Sequence, residues 1–199
     1  MATPAIDPGF TYEDYLALEQ DSDLKHLWLH GEAFAMSGGT PTHALIGANA
    51  LGEVFAALRG RPCRTYSSDL RVRTPDGAMA AYPDLTVICG DLKPHPDDPD
   101  AATNPVALFE VLSPSTEGFD RGDKFAHYRT IPTLRDYVLL SQDAARIEHF
   151  ARNADGTWTL RVLGPGDTLR LTGADAAVAL DAVYDGVTLD PKASARPQV

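Results

Sequence analysis

The chain has 199 residues, 44% apolar and 23% charged, which suits one soluble globular domain with a sizeable core. Its formal net charge of −11 weighs against a broad basic surface and tight non-specific nucleic-acid binding, yet suits carboxylates that hold a divalent cation. No apolar run reaches membrane-span length and the N-terminal MATPAIDPGF has no secretory pattern, so a cytoplasmic protein with no membrane partner is expected. Cys63 and Cys89 then read as reduced thiols, small residues of the core.

In chain order, Thr11-Tyr-Glu-Asp14 has capping-box spacing and predicts a helix over 12–19. Residues 27–36 predict strand on both sides of a His30-Gly31 turn. The loop SGGTPTH leads into a longer helix over 42–58, where Leu51, Phe55 and Leu58 recur at helical spacing and Gly60 ends it. Short strands follow at 63–66, 70–74 and 85–89, the first two-strand turn at Pro75-Asp76-Gly77. The stretch 90–105, rich in Pro and Asp, predicts a polar surface loop before a buried strand at 105–112. Asp120 is expected to cap a helix over 121–130 that Pro132 stops, and 137–141 predicts the last core strand. Beyond residue 144, alternation and an Asp155-Gly156 turn predict a hairpin, then short strands at 168–172 and 176–180.

The pattern predicts an α/β (α+β) fold: a mixed central β-sheet flanked by helices, with a C-terminal β-hairpin extension. A single domain is expected over 1–199, with the core at 10–141, the β-rich extension at 145–190 and a flexible tail at 191–199.

Glu110, in LFEVLSPST, carries the chemistry. A carboxylate inside an apolar strand needs a cation, a metal or a proton, because an unpaired buried charge is too costly. Asp84 opens the apolar strand of AYPDLTVIC, and 26 residues separate it from Glu110, a spacing that lets neighbouring strands bring the two together. Lys124 lies on the first turns of the next helix. Two carboxylates with open water positions suit Mg²⁺, with Mn²⁺ as a substitute, and a lysine beside them equips the site for phosphodiester hydrolysis. Each residue alone also has an ordinary structural reading: a turn for Asp84, a buried ion pair with Arg71, Arg73 or Lys124 for Glu110, a solvated helix lysine for Lys124.

YPDLTVICG, then NPVALFEVLSPSTEGFDRGDKFAHYRTIPTLRDYVLLS, resembles the Uma-type putative restriction endonuclease family of the PD-(D/E)XK nuclease superfamily. The resemblance is dense over 66–141 and looser elsewhere. It implies a restriction-endonuclease-like core and a Mg²⁺-dependent endonuclease acting on DNA, with Asp84 and Glu110 as metal ligands and Lys124 as the lysine that assists the attacking water. Two departures accompany it. Leu112 stands where the superfamily places its lysine, and Leu27 where family members carry an early glutamate. Glu53, on the long helix, is the candidate to replace that glutamate. His43 matches a histidine of the family and would contact phosphate or move a proton, or else hold the helix start. Asp69 would orient a water or pair with Arg71. Tyr128, one helical turn after Lys124, would support the lysine or pack the core. Arg71, Arg73 and Arg121 are candidate phosphate contacts. A homodimer is expected if both strands are cut. The alternatives are a catalytically inactive nuclease-fold module that binds nucleic acid or protein, and a hydrolase of smaller phosphodiesters.

Overall fold

The computed structural model describes residues 9–36 and 38–189; the tail expected at 191–199 lies outside the described residues. Helix α1 (Tyr12–Asp21) starts as the sequence predicts. Thr11 Oγ1 accepts from the Asp14 amide and Asp14 accepts from the Thr11 amide. Strands β1 (His26–Leu29) and β2 (Glu32–Ala35) flank a turn in which His30 and Gly31 both have positive φ, the geometry that matches strand twist. Helix α2 (Pro41–Ala57) is capped by Thr40 and carries Pro41 at its first turn, where the missing amide costs nothing.

Strands β3 (Cys63–Ser67), β4 (Arg71–Arg73), β5 (Met79–Ala81) and β6 (Leu85–Cys89) follow. The polar stretch after them is not only a loop. It folds into β7 (Pro94–His95) and β8 (Asp98–Ala102), because the Asp98 carboxylate finds an arginine to pair with and can be buried. Strand β9 (Ala107–Val111) carries Glu110. The next helix also departs from expectation. It begins at α3 (Glu117–Phe119), widens into a π-helical turn (Asp120–Lys124) and ends as α4 (Phe125–Tyr128). Asp120 is therefore inside the helical run and not its cap. Strands β10 (Asp136–Leu140), β11 (Ile147–Arg152), β12 (Trp158–Leu163), β13 (Thr168–Leu171) and β14 (Ala176–Ala179) precede the short α5 (Leu180–Val183).

Two six-stranded mixed sheets result, ordered β2-β1-β5-β4-β8-β7 and β12-β11-β10-β9-β6-β3, with β13 and β14 as a separate pair. The hairpin β11–β12 thus extends the central sheet. On one face of that sheet, Phe109, Val111, Val138 and Leu140 pack against Ile46, Ala50 and Val54 of α2 and against β13–β14. On the other face, Leu108, Leu112, Tyr137 and Leu139 meet Tyr128 and, from the first sheet, Val72, Met79 and Ala81. Alternation along β9 sends Glu110 to this second face.

Cys63 and Cys89 are not free thiols: they sit opposite each other in the β3–β6 ladder and form a disulfide. They lend no support to a cytoplasmic location. The bond closes a loop across 26 positions. Cys63→Ser under non-reducing conditions is expected to lower unfolding stability by about 3 kcal/mol, measured by urea denaturation.

Candidate active site

The antiparallel ladder of β6 and β9 pairs Leu85 with Phe109. Continued by one step, that register sets Asp84 opposite Glu110, which brings two carboxylates to one end of the sheet. Asp84 Oδ2 accepts the Val111 amide at 2.7 Å. The same oxygen lies 3.4 Å from His43 Nε2, which α2 projects from its first turn. Gly47, one turn further along α2, faces Val111 where the helix packs on β9.

The helical segment completes the cluster from the other face. Lys124 Nζ is 2.8 Å from Glu110 Oε1, close enough for an ion pair but not angled as a hydrogen bond, and it donates to Asp120 Oδ1 at 3.2 Å. Asp120 and Lys124 are four apart across the π turn, and the Asp120 carbonyl accepts from the Tyr137 hydroxyl at 2.9 Å. Tyr128 packs beside them, fully buried, and its hydroxyl has no hydrogen-bond partner among the described residues. Glu110 and Asp120 are 3% exposed and Lys124 6%, whereas the side chains of Asp84 and His43 are 22% and 21% exposed. The cluster is therefore sealed behind Glu110 and opens to solvent past Asp84 and His43.

Its electrostatics follow. Burial pushes the Glu110 carboxyl up, the Lys124 charge pulls it down, and Asp120 and Asp84 push it up again, to about 8. Burial also presses on Asp84, but His43, the Val111 amide and Lys124 outweigh it and hold the carboxyl below its ordinary value. Burial lowers the His43 pKa, yet the hydrogen bond and charge of Asp84 overcome it and leave the imidazole above its ordinary value. Lys124, though buried, is held well above the ordinary lysine value by Glu110 and Asp120. The site thus keeps Asp84 ionised and Lys124 charged, and makes Glu110 the carboxyl of the cluster that takes up a proton most readily.

Of the residues singled out in the sequence, Asp84, Glu110, Lys124, His43 and Tyr128 converge here. Asp120 is the member that sequence reading missed; a carboxylate four residues before a lysine on one helix face was the available signal. The others lie elsewhere. Glu53 is ten residues along α2 from His43, about 15 Å by helical rise, so it does not replace the early glutamate at this cluster. Asp69 is an exposed partner of Lys25 and does not pair with Arg71. Arg71 is not free to meet a phosphate: 6% exposed, it grips Asp98 with two nitrogens at 2.8 and 2.6 Å and donates to Tyr82 at 2.7 Å. Arg73 is likewise buried, with its guanidinium 3.6 Å over the Tyr12 ring and 2.9 Å from His95 Nδ1. Arg121 is spent on Glu117 and Glu148. Leu112 and Leu27 both pack into the second core.

A divalent cation fits the donor set only in part by protein atoms. Glu110 Oε1 is a buried oxygen without a well-aligned hydrogen bond, and Asp84 stands opposite it at the solvent opening. No group of three His, Cys, Asp or Glu among the described residues has metal-holding geometry. Two carboxylates with the remaining positions left to water and phosphate oxygens is the arrangement that suits Mg²⁺.

The family model described as Uma2, putative restriction endonuclease, matches residues 12–181. The chain belongs to that family. Two relatives of the Uma2 chain are proteins of Synechocystis sp. described as uncharacterized: slr1290 is 34% identical over 90% of this chain and 94% of its own length, and sll1609 is 33% identical over 82% and 92%. A crystal structure from Anabaena variabilis, titled as a putative nuclease belonging to DUF820, superposes with a TM-score of 0.73 at 13% identity, covering 89% of this chain and 99% of that one. The mixed α+β architecture of this Uma2 protein is thus that of a solved structure. Among the described residues, no helix is long and apolar enough to cross a membrane.

Proposed function

We propose that this Uma2 protein is a Mg²⁺-dependent endonuclease that hydrolyses phosphodiester bonds in DNA. The observation that carries the reading is the meeting of Asp84, Glu110 and Lys124 at one sheet end, buried on the inside and open on the outside. Asp84 and Glu110 would hold the cation, Mg²⁺ or Mn²⁺. When bound, it would polarise a phosphoryl oxygen and lower the pKa of a nearby water. Asp120 holds Lys124 beside Glu110, where the ammonium would orient the attacking water and steady developing negative charge. His43, whose pKa Asp84 raises, stands at the solvent opening, where a phosphate oxygen would arrive. Incubating the protein with supercoiled plasmid and Mg²⁺ tests the reading: nicked or linear product is expected, and intact plasmid with either Mg²⁺ or Mn²⁺ contradicts it.

The state of Glu110 adds a pH signature. Below about pH 8 the cation must displace a proton from it. Apparent Mg²⁺ affinity is expected to rise as pH climbs from 6 to 8, by up to about tenfold per unit, and then level off. Calorimetric titrations at pH 7 in two buffers of different ionisation enthalpy should show release of up to one proton per cation.

One observation favours a second reading, a module of the same fold without catalysis. The charges of the cluster already have internal partners, Lys124 for Glu110 and Asp120, His43 and an amide for Asp84. Absence of saturable Mg²⁺ or Mn²⁺ binding would select it.

A further inference from the structure

At the far end of the central sheet a second juxtaposition arises. The β10–β11 ladder pairs Asp136 with Ala151, and the Arg152 amide donates to the Arg135 carbonyl at 2.8 Å. Arg135 and Arg152 are therefore directly opposed across two strands. Like charges in that relation destabilise a sheet. The two side chains do not diverge to relieve it. Arg135 Nη1 donates to the Pro132 carbonyl oxygen at 2.8 Å, and Arg152 Nη1 reaches the same oxygen at 3.4 Å. Two guanidinium groups thus converge on one neutral acceptor, in a protein whose net charge is −11.

Among the described residues, neither arginine has a carboxylate partner. Their other hydrogen bonds also go to backbone carbonyls, from Arg135 to Leu134 and from Arg152 to Ile131. Asp155, close by in the β11–β12 turn, is already engaged by the amide and hydroxyl of Thr157. The two arginines line an open cleft of about 290 Å³ with Pro132, Asn153, Ala154 and Gly156. The cleft opens to solvent, so a phosphate group can reach both side chains. The guanidinium nitrogens not used on carbonyls are free to bind it in the forked geometry that phosphate accepts.

We propose that the Arg135–Arg152 cleft binds a backbone phosphate of nucleic acid, as a contact separate from the acidic cluster. Strand β10 runs parallel to β9, with Leu139 beside Glu110, so Arg135 lies four residues, about 13 Å, along the sheet from the carboxylates. A strand engaged at one end of the sheet would present further phosphates toward the other. The nucleic-acid source of the phosphate rests on the nuclease reading; the affinity of two converged guanidinium groups for a phosphate oxyanion does not.

The test has two arms, run on the full chain without divalent metal. Trp158 lies 5.8 Å under the Arg152 guanidinium, so its fluorescence reports the cleft. Titrating the wild type with inorganic phosphate should give a saturable change, absent in Arg135→Gln/Arg152→Gln. No saturable change in the wild type overturns the site. In the second arm, anisotropy of a labelled duplex should show weaker binding by the double variant, about tenfold or more, with the log–log salt slope reduced by about 1 to 2. Unchanged duplex binding beside a saturating phosphate arm would overturn the nucleic-acid assignment and leave a small phosphate ligand. Circular dichroism melts of both proteins verify that the variant folds. Failure of the nuclease reading would show separately, as uncut plasmid in Mg²⁺.

Discussion

Asp84→Asn will fold and will not cut DNA. The Asp84 side chain is partly open to solvent at a strand start, and its structural bond, to the Val111 amide, needs only an oxygen that asparagine retains. The change removes the negative charge that faces Glu110 across the ladder. Losing a ligand of a cation that stabilises a transition state costs several kcal/mol, and each 1.4 kcal/mol is a factor of ten in rate. Cleavage in Mg²⁺ should therefore fall by about a thousandfold or more while the thermal midpoint stays near wild type. Retained cleavage in purified Asp84→Asn protein would remove Asp84 from the mechanism. Glu110→Gln should lose activity equally, since glutamine matches the protonated glutamic acid in shape but cannot release a proton to become an anionic ligand.

The second large effect concerns stability. Lys124 is the only cation within contact of Glu110 and Asp120 among the described residues. Lys124→Met keeps most of the volume but leaves Asp120 buried without its charge partner, a change that typically costs about 3 to 5 kcal/mol. Urea denaturation at pH 7 should show a loss of that order, alongside lost cleavage. A loss under about 1 kcal/mol would mean that the pair is weak and that the cluster relaxes without the lysine. Glu110 sets the pH dependence of the same experiment. Its carboxyl titrates at the ordinary 4.5 when unfolded and at about 8 when folded. Between those values the native state binds the extra proton, so this group makes stability fall as pH rises through the window. Glu110→Gln should flatten that slope.

The reasons for these effects were unevenly visible in the sequence. Asp84, Glu110 and Lys124 stood out because a charge in an apolar run and a helix lysine after a turn are local features. The β6–β9 register that opposes the two carboxylates is a pairing between strands, and a spacing of 26 residues permits it without specifying it. The same limit hid the disulfide: Cys63 and Cys89 have no CxxC spacing and meet only because β3 and β6 pair. Asp120 was hidden in another way. An aspartate before a helical run reads as a cap, whereas the π turn places it one turn from Lys124 inside the run. Asp98 sat in a polar, proline-rich stretch whose composition predicts a loop, yet Arg71 draws it into a strand. That partner, once found, also removes Arg71 from any phosphate groove. Arg135 and Arg152 are far apart in the sequence and stand face to face only because β10 and β11 pair.

The central claim is that Asp84 and Glu110 together hold one divalent cation. Titration of the wild type, Asp84→Asn and Glu110→Gln with Mn²⁺, followed by electron paramagnetic resonance of the free ion, tests it most directly. One saturable site in the wild type, at least tenfold weaker in each variant, is the result predicted. No saturable site in the wild type, or undiminished binding in both variants, would contradict it.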